Sequence, residues 1–460
     1  MKNTFKKIIW GVALAGLSSG ALWADEAEAA KSLEEKLDEL DQKIRVLERQ
    51  REITEEAAEA KKKTTPVLSV GEKGFQLESA DKKFSLRLRG LLQVDSRNFL
   101  SDERLNGSDG FVLRRARLPL QGKVFENFEY LFTPEFAGSS VSILDAYVNS
   151  NFWQEFQVQA GKFKNPVGLE VRQSDPARLF VENALASNLV PNRDIGVAVQ
   201  GKVWEDIFNY QVGVFNGAVD GGNETSGPSA ISDDYTFAGW LFSHPFRKLD
   251  VNELKGFGFG LGGSVKNEGD QGTAGGLTAG YRSAGQQTFF TYNAGGARAN
   301  GTHWRLSPQG YYYYGPFGFL GEYVLNSQEI SNAANTVRDT AQNTAWHVAA
   351  SYVLTGEDAS FTGVKPRKPF SFSEGNWGAF EIAARYGELD IDDDVFPTFA
   401  NPANQASGAR EWGIGLNWYL NSVVRVTADF FQTDFESAPG AASGIDQNEN
   451  VFITRLQLNF

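Results

Sequence analysis

The chain has 460 residues, 41% hydrophobic and 13% aromatic, with 48 glycines, no cysteine and a net charge of −13; this is long enough for a large core and excludes a small stapled scaffold. Zero cysteine removes disulfides, thiolate metal sites and cysteine nucleophiles, and the three scattered histidines, His244, His303 and His347, offer little to an imidazole metal centre, so no cofactor or structural metal is expected. The acidic balance, 57 Asp and Glu against 44 Lys and Arg, argues against a nucleic-acid partner, because phosphate contacts need a basic surface.

Residues 1–24 carry Lys2, Lys6 and Lys7, then an apolar run over 8–22, then small residues near Ala24, the order of a secretory signal peptide. The run is shorter than the roughly 20 apolar residues of a spanning helix. Leu22 suits a cut after Ala24 poorly, and Ala27-Glu28-Ala29 offers an alternative. Loss of residues 1–24 removes three lysines and no acid, taking the charge from −13 to −16. Residues 25–65 follow as a helix and linker. Leu33, Leu37, Leu40, Ile44 and Leu47 recur at steps of 4, 3, 4 and 3 with Glu and Lys between them, the seam of a short coiled coil. So short a seam is marginal alone, which points to association with other copies; a solvated, charged arm is the alternative.

From Phe84 the period becomes two. Phe84, Leu86, Leu88, Leu92 and Val94 share one face, and Ser85, Arg87, Arg89, Gln93, Asp95 and Arg97 the other. Similar alternation recurs to the end of the chain. Outward sets such as Trp412, Ile414, Leu416, Trp418 and Leu420 are wholly apolar with aromatics near the ends, the chemistry of lipid contact between interfacial girdles. The opposite face carries Arg87, Arg89, Arg115, Arg117, Glu129, Asp145, Glu381, Arg385, Glu411, Arg425, Asp429 and Arg455, too many charges for a dry core, so a wet interior is expected. Tight connections near Glu126, Gly315 and Asn421 alternate with long ones at 218–233, 266–302 and 390–409. The expected fold is an all-β transmembrane antiparallel barrel over 66–460, of about sixteen strands, closed because an open edge is intolerable in hydrocarbon. Pro119 interrupts one predicted strand without a ladder donor, which only a bulge would accommodate.

Several segments carry a family likeness: 111–118 (FVLRRARL), 161–170 (GKFKNPVGLE), 352–357 (YVLTGE), 378–386 (GAFEIAARY), 414–419 (IGLNWY) and 455–460 (RLQLNF). In this order they resemble the phosphate-selective porins of the O and P type. The resemblance implies a trimer of 16-stranded barrels in the Gram-negative outer membrane, with the N-terminal segment in the periplasm. It also implies a basic lumen that passes anions and an infolded third loop. That loop falls on 161–195, which carries Lys162, Lys164, Arg172, Arg178 and Arg193.

Arginine matches phosphate and carboxylate oxygens with a planar fork of donors, and rings of cations select anions. Arg87, Arg89, Arg115, Arg117, Arg385, Arg425 and Arg455 share the lumen parity. They are the candidate anion-binding residues, set against the plainer role of pairing with inward acids to brace the wall. The expected function is passive diffusion of small inorganic or organic anions, plausibly phosphate or polyphosphate, with outer-membrane lipid and lipopolysaccharide as surroundings. The alternatives are a weakly selective general porin, or a barrel enzyme using His303 or His347, for which no clear nucleophile and base stand together.

Overall fold

The computed structural model describes residues 22–62, 64–101, 107–224, 234–269, 276–441 and 447–460. The signal peptide read at 1–24 lies largely outside the described residues. The chain divides into two compact units, 1–65 and 66–460.

In the first unit a helix runs over Leu22–Lys62. Residues 25–62 contain neither Gly nor Pro, and Pro66 follows the helix end. Lys43–Glu39, Arg45–Asp41 and Arg51–Glu55 pair at 2.7, 2.6 and 2.8 Å across one helical turn. Each such pair is solvent-screened and adds little to the helix by itself. Leu33, Leu37, Leu40, Ile44 and Leu47 are all exposed; a single copy of the helix has nothing to bury this stripe against.

In the second unit, sixteen antiparallel strands form the wall. They are Leu91–Ser101, Gly110–Arg117 continued by Leu120–Val124, Phe128–Glu135, Ser142–Trp153, Phe156–Lys164, Arg193–Val203, Phe208–Phe215, Thr236–Ser243, Phe257–Glu268, Ala297–Tyr314, Phe317–Asn332, Arg338–Val353, Ala379–Asp390, Ala406–Tyr419, Val424–Ser437 and Gln447–Asn459. The last strand pairs with the first, Arg455 opposite Asp95 and Leu456 opposite Val94, so the wall closes. Burial follows parity: in Ala406–Tyr419, Glu411, Asn417 and Tyr419 are buried while Ile414 and Leu416 face out. Aromatics gather at the short-turn end, where Phe84 meets Phe125, Phe128 meets Phe152 and Trp204 meets Phe208 at 4.9–5.5 Å between centroids.

Pro119 sits in a break rather than a bulge. The strand interrupts at Leu118-Pro119, its neighbour interrupts at Arg89-Gly90, and the Arg89 N–H donates to the Pro119 carbonyl at 2.9 Å. Both pairing strands yield together, so the missing proline donor leaves no orphan acceptor inside a ladder. Gly90 also completes the closure. It exchanges backbone hydrogen bonds of 2.9 and 3.0 Å with Phe460, whose ring lies where a Cβ on Gly90 would be, 2.4 Å away. A side chain at 90 would push the Phe460 ring from its place.

The connections depart from a simple short and long alternation: 244–256 and 354–378 are long at the short-turn end, and 333–337 is short at the other. Residues 354–378, at the short-turn end, form a long connection that turns into the barrel: Phe361 stacks on Tyr311 at 4.9 Å.

Candidate functional site

Residues 165–192 link Phe156–Lys164 to Arg193–Val203 and fold inside the wall. Their composition requires it: Val167, Leu169, Val171, Phe180, Val181, Leu185, Leu189 and Val190 are all at most 2% exposed. Burying each such side chain contributes about 1.5–3 kcal/mol. A loop taken out of water must also find partners for its backbone. The late strands supply them almost residue by residue. Gln309 donates to the Val167 carbonyl (2.8 Å), Gln457 to Pro176 (3.2 Å), Arg425 to Arg178 (2.9 Å), Asn417 to Leu179 (2.9 Å), Arg455 to Val181 (2.6 Å), Arg385 to Glu182 (2.8 Å) and Asn326 to Leu189 (3.1 Å). Glu322 accepts the Leu169 N–H at 2.9 Å and Asp429 the Val181 N–H at 2.8 Å. Arg455 also forks onto Asp95 at 2.6 and 2.8 Å. Arg385 pairs with Glu411 at 2.8 Å, its guanidinium lying over the touching rings of Phe180 and Phe431. This side of the interior is packed, not wet; the charges tolerate burial because each has a partner.

Along the early strands the loop leaves space. A cavity of about 390 Å³ toward the short-turn end is lined by Arg89, Arg117, Lys164, Arg172 and Arg193 with Asp145 and Asp175, and by Leu131, Tyr147 and Phe163. A second, of about 480 Å³, lies toward the long connections and is lined by Arg114, Arg115, Arg117, Arg178, Arg193 and Arg282 with Glu135, Asp175, Glu182 and Asp220. Cations outnumber carboxylates in both.

Arg117 bonds Glu135 at 2.6 Å and also Asp175. Arg193 bonds Asp145 at 3.0 Å, Arg178 bonds Asp175 at 2.5 Å, and Arg115 donates to Gln93 at 2.7 Å. Burial raises the Asp175 carboxyl, but Arg178, Arg115, Arg117 and Lys164 outweigh it and hold the group well below the usual carboxylate range. Several cations have no carboxylate partner. Lys164 donates to the Gln173 carbonyl. Arg172 donates to Gln211 at 2.6 Å with its guanidinium 4.2 Å above Trp240, and burial brings it down to about 10, still cationic at neutral pH. Among the described residues, the Arg89 side chain makes no hydrogen bond or ion pair while lining the first cavity. Arg87 lies in a smaller recess nearby, and its side chain bonds Gln76 and no carboxylate among the described residues.

Of the residues read onto the loop, Arg172 and Arg178 lie in it, whereas Lys162, Lys164 and Arg193 end the flanking strands. Lys162 donates to the Glu224 carbonyl at 2.5 Å. Of the lumen-parity arginines, Arg89, Arg115 and Arg117 line the cavities, and Arg385, Arg425 and Arg455 reach the loop backbone instead.

Arg114 was not expected to face inward. The register slips between Gln93 opposite Arg115 and Val94 opposite Leu113, so Arg114 is an extra, bulged residue and turns in beside Arg115 to bond Glu182 at 2.6 and 2.9 Å. The signal was present: strict alternation through Arg114-Arg115 would leave one arginine in lipid. A second infolded segment, 276–296, also escaped the sequence pattern. Its Ala284 and Gly285 N–H groups donate to Glu411 and Glu449 at 2.9 and 3.2 Å.

His303 is buried against Asn326 at 3.2 Å, and both ring nitrogens of buried His347 lack a partner among the described residues. Neither activates a hydroxyl. In the acidic run 390–394, Asp392 caps the turn Asp393–Val395.

A closed wall, apolar outside and charged within, narrowed by an infolded loop, defines an outer-membrane porin, a channel and not an enzyme. The family of phosphate-selective porins O and P matches residues 84–460, and the chain belongs to it. Porin O of Pseudomonas aeruginosa is 23% identical over 433 residues, 84% of this chain and 91% of that protein. Among solved structures, the outer-membrane channel DcaP of Acinetobacter baumannii aligns with a TM-score of 0.53 at 11% identity, covering 84% of this chain and 99% of that one. An anion-selective porin from Comamonas acidovorans aligns at 0.50 and 12%, covering 82% and 100%.

Proposed function

We propose that this porin is a passive diffusion channel preferring small inorganic or organic anions, with phosphate and polyphosphate among the candidates. Anions cross along the early strands, through the two cavities between wall and loop. The observation that carries this is the excess of cations over carboxylates in both cavities of a chain whose net charge is −13. Arg89 and Arg172, without carboxylate partners, are the freest of these charges, with Lys164 beside them. Arg87, Arg115, Arg117, Arg178 and Arg193 continue the row, each exchanging part of the ion's hydration shell for guanidinium donors. Arg385, Arg425 and Arg455 act by holding the loop in place. The family assignment and the anion selectivity of the Comamonas porin support the reading.

The channel works as a homotrimer in this proposal, with short turns and the helix on the periplasmic side and the exposed leucine seam joining copies. Purified protein in planar bilayers should give a reversal potential favouring anions in a salt gradient; clear cation preference would end the reading. A weakly selective general porin is favoured by the acids Asp145, Glu135 and Asp175 beside the path. Competition of chloride current by phosphate decides between the two: a general porin shows none.

A further inference from the structure

Arg117, Asp175 and Arg193 are the lining residues common to both cavities, so an ion leaving one cavity for the other passes them. Arg117 and Arg193 belong to the wall and Asp175 to the loop. The Asp175 side chain is only 5% exposed, and four guanidiniums converge on it. Arg178 lies 2.5 Å from Oδ1, Arg117 bonds Oδ2, and Arg115 and Arg193 each have a nitrogen at 3.9 Å.

This arrangement exceeds what a wall brace needs. Arg117 and Arg193 already have their own carboxylates in Glu135 and Asp145. Arg115 and Arg178 have none besides Asp175, and the Nε of each is buried without a partner among the described residues. Several guanidiniums aimed at one pair of coplanar oxygens, with donors to spare, form a site for an oxyanion. One oxyanion is already present, supplied by the chain.

We propose that Asp175 is a tethered stand-in for the permeating oxyanion. Its two oxygens occupy the position that a carboxylate or phosphate takes in transit. A passing oxyanion shares or displaces those contacts, and Asp175 returns behind it. Because conduction requires binding weak enough to release, the resident carboxylate keeps a multivalent anion from lodging among four arginines. This inference rests on the anion path proposed above.

The test uses the full-length protein in planar bilayers, titrating chloride current with phosphate and, separately, with acetate. In Asp175→Asn the half-blocking phosphate concentration should fall on the order of tenfold, a change worth ~1.4 kcal/mol, and acetate should begin to block. Glu135→Gln and Asp145→Asn each remove one carboxylate from the same cluster but outside the shared gap, and should shift the block by less than about threefold, ~0.7 kcal/mol. An unmoved block in Asp175→Asn, or equal shifts in all three variants, would overturn the proposal. If Asp175→Asn forms no channels, Arg178→Gln decides: with Asp175 kept and one cation fewer, phosphate block must weaken relative to the unmodified channel, and an equal or stronger block overturns the proposal. An unmodified channel that prefers cations sinks the anion path and this inference together. An anion-preferring channel with an unmoved Asp175→Asn sinks this inference alone.

Discussion

The early strands and the late strands of the barrel both turn arginines inward, and in sequence the two sets look alike. Their surroundings differ. Along the early strands Arg89, Arg115, Arg117 and Arg193 border open cavities. Along the late strands Arg385, Arg425 and Arg455 end on loop carbonyls. The loop causes the asymmetry. Pressed against the late strands, it turns their cations into hydrogen-bond donors for its own backbone and leaves the cations of the early strands facing space. One residue type thus serves two ends: a buried guanidinium that ends on loop carbonyls is a strut, and one that lines a cavity is a site for ions.

The sharpest way to break this contrast is Arg455→Met. It leaves Asp95 with Arg97 alone at 3.5 Å and frees the Val181 carbonyl, and should cost up to about 3 kcal/mol, read as a lower urea midpoint for unfolding in detergent micelles. Selectivity equal to the parent's in whatever channels survive would mean that the loop keeps its place without this strut. Asn417→Ala removes one neutral donor and leaves the Leu179 carbonyl unpaired, for about 1–3 kcal/mol in the same assay; ion preference should not move.

On the other side the pattern should invert. Arg89→Gln with Arg172→Gln removes two cations that have no carboxylate partner, so stability should change by no more than about 1 kcal/mol. The anion-to-cation permeability ratio should meanwhile fall several-fold. A stability loss as large as that of Arg455→Met, with the ratio intact, would abolish the distinction between the two walls. The smallest effect is expected from deleting residues 25–65: single-channel conductance unchanged, with weaker assembly measured by light scattering in detergent. Assembly at full strength would show that the leucine seam does not join copies.

Much of the barrel was legible because lipid imposes a rule on every wall residue. Ile414 and Leu416 must differ from Glu411 and Asn417, and the alternation is written along the strand. Arg114 broke that rule visibly, in a run of adjacent arginines that only a bulge allows. The infolding of 165–192 was legible by likeness and, more weakly, by apolar residues such as Phe180 and Leu189 that a solvated loop would not carry. Residues 276–296 carried a similar sign in Tyr281, Phe289, Phe290 and Tyr292, all buried, but no likeness pointed to them; in 354–378 the aromatics are mixed with exposed ones such as Phe372 and Trp377, so composition alone did not separate an inward loop from a solvated one.

By itself the sequence determined which residues face oil and which face the interior, since that choice depends only on the two-residue period of a strand and the cost of charge in hydrocarbon. Which interior arginines meet open space, and which are spent on the loop's carbonyls, depends on the side of the wall against which the loop packs. That is a contact between segments far apart in the chain, and no local period encodes it; only the tertiary structure decided that Arg117 borders a passage and Arg455 closes one.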